Sequence, residues 1–287
     1  MSNPIFTAAL AQMDIHIGCP GRNLERMLSV LQVAAVNDAR LVIFPECALA
    51  GYCFESLEEA RKFAEPIPGP STAQFAETCQ KLGIHVMYGL LEADGSRVFN
   101  ACALVGPNGL VGSYRKIHLP HLGVDRFTTP GDRPFRVYDI GIARVGMHIC
   151  YDGAFPEAAR VMALDGADMI ALPTNWPPGS ECTATYVINA RALENNVYFL
   201  AVNRVGTERG FRFIGHSKAC KPDGSPICEA LHEREEVLYA EIDVALARSK
   251  RLVRVPDKHI IDRFKDRRPE MYGRIVDRQE RSSRAAE

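Results

Sequence analysis

Short apolar runs alternate with amphipathic segments along most of the chain, which predicts strands and helices that follow one another. The segment Asn23–Ala39 has apolar residues at helical spacing, and Asn23 is its expected N-cap. A second helix is predicted over Ser71–Leu82, ended by Gly83. The same pattern predicts two further helices, over residues 155–164 and 184–193.

The segments between these helices are short and mostly apolar, as strands buried on both faces are. Strands are predicted over residues 8–14, 41–45, 84–89, 99–105, 109–115, 143–149, 169–173, 197–203 and 237–242. The turns Pro107-Asn108-Gly109 and Pro222-Asp223-Gly224 predict two hairpins, and residues 237–242 are the predicted return strand of the second. Strands and helices mix without a Pro/Ser-rich linker, which favours one α/β domain with two sheets covered by helices. We predict this domain over residues 1–276 and a flexible charged tail over residues 277–287.

Composition and charge narrow the class of protein. The chain has 287 residues, 47% of them hydrophobic, with 34 basic and 35 acidic side chains. A chain of this size and apolar content buries a sizeable core, and its near-neutral charge argues against a nucleic-acid or membrane-surface partner. The apolar runs are far shorter than the roughly 18 residues of a membrane-spanning helix, and the N-terminus does not resemble a secretory signal. We therefore expect a cytoplasmic protein.

The chain contains nine cysteines, a high and odd number. Without a secretory signal, such a number favours free thiols in a reducing compartment. Neither Cys-x-x-Cys nor His-Glu-x-x-His occurs, so no metal site is predicted. Most of the thiols are expected to be small buried hydrophobic side chains.

Cys150 differs from the other cysteines in its position. An apolar strand is predicted to end there, and a helix is predicted to begin near Pro156. A nucleophile on a strand-to-helix turn is exposed and lies near backbone N–H groups that can stabilise an oxyanion. Position alone leaves open that Cys150 is one more buried thiol. A Cys–His pair with His148, two residues earlier, is a minor alternative.

Glu46 and Lys116 each follow a predicted strand. Burial at the end of a strand should raise the pKa of Glu46, which suits a general base, although a surface or helix-capping glutamate is the alternative. Lys116 could hold an oxyanion, although an isolated lysine is usually solvated.

Three motifs, in this order, resemble the signature of the nitrilase superfamily, the carbon–nitrogen hydrolases with a Glu-Lys-Cys triad. They are Phe44-Pro-Glu46, Arg115-Lys-Ile-His-Leu-Pro120 and Cys150-Tyr-Asp-x-x-Phe-Pro-Glu157. Later segments also fit the family: Asn189–Asn195, Asn203–Gly206, Gly215–Ser217 and Arg268–Glu270. The resemblance therefore spans about residues 5 to 276.

This resemblance implies a four-layer α-β-β-α sandwich that forms a homodimer or a larger homo-oligomer. It also implies that Cys150 is the nucleophile, Glu46 the general base and Lys116 an oxyanion stabiliser. The backbone N–H of Tyr151 would be the second oxyanion donor, and no cofactor would be needed. The intact triad argues against a non-catalytic binding protein.

One position departs from the family pattern. Many members have a second glutamate seven residues before a Pro-Gly glycine, which is Gly131 here. Counting without gaps leads to Val124, and no glutamate lies between the lysine and the cysteine of the triad. Asp125 is the nearest carboxylate. Either Asp125 takes the place of the glutamate, or it forms a salt bridge with a neighbour such as Arg126.

The residues around the triad favour an amide or carbamoyl substrate. Nitrile-cleaving members tend to have Trp-Glu after the cysteine, whereas this chain has Tyr151 and Asp152. Asn175 and Trp176 end a predicted strand and should line the substrate pocket with Tyr151, although Trp176 could instead pack under a loop. Tyr52, six residues after Glu46, could line the same pocket. His118 and His148 are expected to be hydrogen-bonded scaffold residues. Arg191 is also expected to belong to the scaffold, with a substrate carboxylate as its alternative partner.

Overall fold

The computed structural model describes residues 5–277 and shows the expected alternation of strands and helices. The helices are α1 (Pro20–Val36), α2 (Leu57–Arg61), α3 (Pro70–Leu82), α4 (Pro156–Leu164), α5 (Ile188–Asn195) and α6 (Val244–Arg248). The first eight strands are β1 (Ile5–Gln12), β2 (Ala39–Ile43), β3 (His85–Asp94), β4 (Arg97–Gly106), β5 (Gly109–Arg115), β6 (Val137–Asp139), β7 (Arg144–Met147) and β8 (Met169–Thr174). The others are β9 (Tyr198–Asn203), β10 (Thr207–Glu208), β11 (Phe211–Arg212), β12 (Lys218–Cys220), β13 (Pro226–Glu229), β14 (Glu236–Asp243), β15 (Arg251–Val255) and β16 (His259–Asp262).

Two six-stranded sheets form the centre of the fold. Their strand orders are β14-β1-β2-β3-β4-β5 and β13-β12-β9-β8-β7-β6. The predicted return strand of the Pro222-Asp223-Gly224 hairpin is wrong, because β14 pairs with β1 and the hairpin consists of β12 and β13. In each sheet three parallel strands are flanked by antiparallel ones, namely β1-β2-β3 in the first and β7-β8-β9 in the second. The loops after parallel strands of an α/β fold are where ligands commonly bind.

The two sheets pack face to face, and helices cover their outer faces. Leu10, Ile43 and Met87 of the first sheet share a buried apolar core with Met147 and Leu200 of the second. Helices α1 and α3 pack on the other face of the first sheet. On the second sheet, α4 lies so close to β7 that a Cβ on Gly146 would come within 2.8 Å of the sulfur of Met162. The result is the predicted four-layer α-β-β-α sandwich.

The first helix begins earlier than predicted. Cys19 is its N-cap and Pro20 its first residue, a position that the fixed φ of proline favours. The prediction of Asn23 as N-cap is wrong, because its buried side chain donates to the carbonyls of His16 and Leu49, at 2.8 and 3.0 Å. The helix predicted over residues 184–193 is a π-helical turn, Thr183–Val187, that continues into α5.

The chain divides into two compact units, one within Met1–Arg248 and the other within Ser249–Glu287. The first contains both six-stranded sheets and α1 to α6. The described part of the second contains the hairpin β15–β16, which the sequence pattern did not predict, followed by two 3-10 turns. The single domain over residues 1–276 stays a prediction, and residues 278–287 of the predicted tail lie outside the described residues. None of the helices within residues 5–277 has the length and apolarity to cross a membrane.

Candidate active site

Four predicted site residues lie on loops that follow strands. Glu46 comes after β2 and Lys116 after β5, whereas Cys150 begins a 3-10 turn after β7. Asp125 lies in the 3-10 turn Gly123–Arg126. Hydrogen bonds join Glu46, Lys116 and Asp125 into one buried cluster.

Lys116 is the centre of this cluster. Its fully buried Nζ donates to Glu46 Oε1 at 2.7 Å and to Asp125 Oδ2 at 2.5 Å. Burial alone would lower the pKa of Lys116, but the charges of Asp125 and Glu46 hold that pKa well above its ordinary value. Lys116 is therefore a cation at neutral pH. Within residues 5–277 its ammonium group donates two of its three N–H bonds, one to each of these carboxylates.

Asn100, which the sequence analysis missed, links the two carboxylates. From β4 its buried Nδ2 donates to Glu46 Oε1 at 2.7 Å and to Asp125 Oδ1 at 2.8 Å. Both amide protons are thereby used to hold the carboxylates in place. The available signal was an amide side chain within the apolar strand that runs from Phe99 to Val105.

Glu46 has one oxygen that the scaffold leaves unused. Oε1 accepts from Lys116 and Asn100, whereas the buried Oε2 has no hydrogen-bond partner in the described part of the chain. Burial raises the pKa of Glu46, and the charge of Lys116 opposes that rise only in part. Oε2 is therefore placed to accept a proton.

The turn that carries Glu46 fits closely against β3. A Cβ on Gly89 would lie 2.3 Å from the backbone nitrogen of Cys47 and 2.6 Å from the carbonyl oxygen of Pro45. Glycine at this position lets β3 approach the turn and bond to both sides of it, through Gly89 N to Pro45 O at 3.2 Å and Leu49 N to Gly89 O at 3.1 Å. The position of Glu46 thus depends on close backbone packing.

Cys150 occupies a strained backbone position next to the cluster. Its φ of 46° lies in the left-handed region, which non-glycine residues adopt only in a few per cent of cases. Burial raises the pKa of its thiol to about 12 and the charge of Glu46 adds to this rise, while Lys116 and the backbone N–H of Asn175 oppose it. The thiol is therefore protonated at neutral pH and needs a base to become a nucleophile.

Asp152 ties the Cys150 turn to the segment of Lys116. Its Oδ2 accepts from the hydroxyl of Tyr114 at 2.8 Å and from the backbone N–H of Ile149 at 3.0 Å. Its Oδ1 accepts from the backbone N–H of His118 at 3.1 Å and lies 2.7 Å from Nδ1 of the same residue. His118 thus has the scaffold contacts expected of it, whereas the sequence analysis did not recognise this role of Asp152.

Arg191 has the scaffold contacts expected of it, whereas His148 lacks the hydrogen bonds expected of it. Arg191 donates to the carbonyls of Gly153 and Ala154, both at 3.2 Å, so it supports the Cys150 turn as a scaffold residue. His148 was expected to be hydrogen-bonded, but both of its buried ring nitrogens lack partners within residues 5–277. This expectation is wrong, and the alternative of a Cys–His pair fails with it. Burial lowers the pKa of His148 to about 4, so the ring is neutral.

Asp125 reaches the cluster although it lies one position from the family pattern. Val124 packs in an apolar cluster with Tyr52, so its side chain cannot replace a carboxylate. The alternative salt bridge with Arg126 is wrong, because that guanidinium donates to the carbonyls of Gly123 and Phe54, at 3.1 and 3.2 Å. Asp125 therefore lies within hydrogen-bond distance of Lys116, as it must if it takes the place of the family's second glutamate.

The four residues expected to bind substrate have different surroundings. Tyr52 is buried and donates through its hydroxyl to Asp125 Oδ2 at 2.8 Å. Asn175 is fully buried, and neither polar atom of its side chain has a partner among residues 5–277. Trp176 is buried with its backbone N–H bonded to Asn203, whereas Tyr151 is exposed. Their substrate contacts stay predictions, and no set of His, Cys, Asp and Glu in the described residues is arranged to hold a metal ion.

Comparison with known proteins identifies the class to which this fold and site belong. The family model "Carbon-nitrogen hydrolase" matches residues 7–252. The chain belongs to the carbon–nitrogen hydrolase family, which confirms the resemblance seen in its motifs, and it is an enzyme of the nitrilase superfamily.

Three similar proteins illustrate this membership. A nitrilase of Pyrococcus abyssi is 40% identical, over 93% of this chain and 98% of its own length. The omega-amidase NIT2 of Homo sapiens is 30% identical, over 93% and 96% of the two chains. An amidase from Nesterenkonia sp. AN1, solved as a double mutant with acrylamide, superposes with a TM-score of 0.77 at 23% identity, covering 94% of this chain and 97% of that one. This last likeness supports the fold.

Proposed function

We propose that this enzyme hydrolyses the C–N bond of a small amide through a thioester on Cys150, releasing ammonia or an amine. The observation that carries the proposal is the buried and unpartnered Oε2 of Glu46, in a cluster whose charges act on a protonated thiol. In acyl transfer a free carboxylate oxygen can act as general base, a thiol as nucleophile and a fixed ammonium as oxyanion stabiliser.

In the first step, Glu46 takes the proton of Cys150 while the sulfur attacks the amide carbon. The carbonyl π electrons move to oxygen, and the resulting oxyanion is stabilised by Lys116 and by the backbone N–H of Tyr151. Because Lys116 is already held by two carboxylates, it need not reorganise as this charge develops.

In the second step, the tetrahedral intermediate breaks its C–N bond. Glu46 returns the proton to the departing nitrogen, which leaves as ammonia or an amine, and the acyl group stays on Cys150 as a thioester. Water then attacks the thioester, Glu46 takes the water proton, and that proton returns to the sulfur as the carboxylic acid leaves. The enzyme ends in its starting protonation state.

Several observations support an amide as the substrate. Tyr151 and Asp152 stand where nitrile-cleaving members tend to have Trp-Glu, and one relative is an omega-amidase. The unpartnered carboxamide of Asn175 can both donate to and accept from a polar substrate group, such as an amide or a ureido group. A nitrile is the second candidate, because the relative at 40% identity is a nitrilase.

A panel of substrates tests the proposal. Purified enzyme is incubated with small primary amides, N-carbamoyl amino acids and nitriles, and ammonia and carbon dioxide are measured. We expect ammonia from amides without carbon dioxide, and no release by a Cys150→Ala blank. Both gases from an N-carbamoyl amino acid would instead indicate a carbamoylase, and turnover of nitriles alone would contradict the amidase proposal.

We also propose that the enzyme acts in the cytoplasm as a homodimer or larger homo-oligomer. All nine cysteines are free thiols, which fits a reducing compartment. Exposed apolar side chains on the outer helices support self-association: Val161, Leu164 and Leu193. Light scattering of the purified protein measures the oligomeric state directly.

Asp125→Asn should lower kcat by about 10- to 100-fold, the cost of losing a hydrogen bond to a charged group. Every neighbour of this carboxylate is a donor, namely Asn100, Lys116 and Tyr52, so an amide NH2 must face another donor. Asp125→Glu keeps the charge but should also have a lower kcat than the wild type, because one more methylene overpacks a fully enclosed site.

The measurement is kcat below the thermal midpoint of each variant, so that lost folding does not count as lost catalysis. Asp139→Asn, at an exposed carboxylate on the last residue of β6, is the control and should keep wild-type turnover. Unchanged kcat in Asp125→Asn would remove Asp125 from the site.

A further inference from the structure

A second buried ionic cluster contacts the backbone beside the active site. The guanidinium of Arg204 is fully buried and donates to Glu208 Oε1 at 2.6 Å, to Asp14 Oδ1 at 3.0 Å and to the carbonyl of Ile15 at 2.7 Å. Glu208 is itself buried. This carboxylate is therefore held rigidly by a charge-assisted hydrogen bond.

The other oxygen of Glu208 holds a short segment of backbone. Its Oε2 accepts from the N–H of Tyr52 at 2.8 Å and from the N–H of Cys53 at 2.6 Å. The preceding residue, Gly51, has a φ of 93°, and a Cβ there would lie 2.9 Å from Glu208 Oε1 and 2.7 Å from Cα of Ile17. Little room is left for this segment to move relative to Glu208.

Tyr52 in turn contacts the turn that carries Asp125. Its carbonyl accepts from the N–H of Val124 at 2.8 Å, and its hydroxyl donates to Asp125 Oδ2 at 2.8 Å. A Cβ on Gly123 would lie 2.4 Å from the ring of Tyr52, so the ring lies directly against this turn. Tyr52 therefore has one fixed contact with Glu208 and another with Asp125.

We propose that Glu208 is a positioning residue for the hydrolysis. By fixing the backbone of Tyr52, it aims the Tyr52 hydroxyl at Asp125 and so keeps Asp125 against Lys116. The inference rests on the proposed function of that cluster. The rival view is that Glu208 serves only to neutralise Arg204 within the fold.

A double-mutant cycle separates the two views. Tyr52→Phe keeps the ring packing and removes only the hydroxyl, so it should fold. Glu208→Gln keeps the shape of the side chain and removes its charge. Each substitution should lower kcat about 10-fold or more, with little change in KM, because a small displacement of a positioned group has this cost. If Glu208 acts through Tyr52, the double variant should lose much less than the product of the single losses.

Asp168→Asn is the matched control. Asp168 is also a buried carboxylate that accepts from a backbone N–H, that of Arg144 at 2.9 Å, and pairs with a guanidinium, that of Arg248 at 2.9 Å. We expect this variant to have a lower thermal midpoint, a wild-type kcat, and effects that add to those of Tyr52→Phe. If Glu208→Gln behaves in the same way, with lost stability and unchanged kcat, the positioning role is overturned.

The kcat of each variant is measured with whichever class of the substrate panel the wild-type enzyme turns over. The rate at which iodoacetamide alkylates Cys150 compares the same variants without a substrate. Wild-type activity on nitriles alone would overturn the amidase proposal and not this inference. Additive losses from Glu208→Gln and Tyr52→Phe, with the wild type active on amides, would overturn this inference and not the amidase proposal.

Discussion

Cys150→Ala should reduce kcat on the order of 10⁴-fold or more, as the loss of a covalent nucleophile does in other enzymes. The thioester cannot form without the sulfur, and His148 makes no hydrogen bond to Cys150 that would let it take over the attack. Steady-state ammonia release from the best amide substrate is the measurement.

Cys220→Ala is the control for the loss of a thiol as such. Cys220 is a buried free cysteine in β12, and burial raises the pKa of its thiol to about 12, as it does for Cys150. The control variant should lose some stability from its small cavity and keep wild-type kcat. Substantial turnover in Cys150→Ala, or inactivation by Cys220→Ala alone, would contradict the assigned nucleophile.

Lys116→Met should lower both catalysis and stability. Removing an oxyanion donor costs on the order of 10²-fold or more in kcat. The substitution also leaves Glu46 and Asp125 buried without their shared cation, and breaking a buried pair in this way typically costs about 3–5 kcal/mol. Measurements of kcat and of urea unfolding report the two losses separately.

The pH dependence of Lys116→Met gives a further check with a definite sign. The pKa of Glu46 is already raised by burial, and without Lys116 it should rise further. A group that binds a proton more readily in the folded state than in the unfolded state stabilises the fold as pH falls. The stability deficit of the variant should therefore be smaller at pH 5 than at pH 8.

Lys116→Arg tests whether any cation is sufficient. The planar guanidinium cannot occupy the compact space between Glu46 and Asp125 with the same hydrogen bonds, so we expect stability to recover in part and kcat to stay low. Near-wild-type turnover in this variant would contradict the role of Lys116 as a precisely placed oxyanion stabiliser.

Whether a predicted element agrees with the observed one depends on local physical causes. Gly83 ends α3 in the left-handed conformation, as its lack of a Cβ suggests. By contrast, the β15–β16 hairpin escaped prediction, because arginines at positions 251 and 254 interrupt its apolar residues. The first turn of α1 was also missed, since Asn23 resembles an N-cap and serves in tertiary hydrogen bonds instead.

The sequence by itself determined the class of enzyme, and it predicted Glu46, Lys116 and Cys150 as members of the site. Each stands within a contiguous motif, and a contiguous motif can be recognised from the sequence without knowledge of the fold. The tertiary structure decided that Asp125 reaches Lys116, that Asn100 joins Asp125 to Glu46, and that the Asp125–Arg126 and His148–Cys150 pairs do not form. Hydrogen bonds between distant segments depend on how loops pack. In this protein that packing needs glycines where a Cβ would not fit, such as Gly89 against the Glu46 turn and Gly123 against the Tyr52 ring.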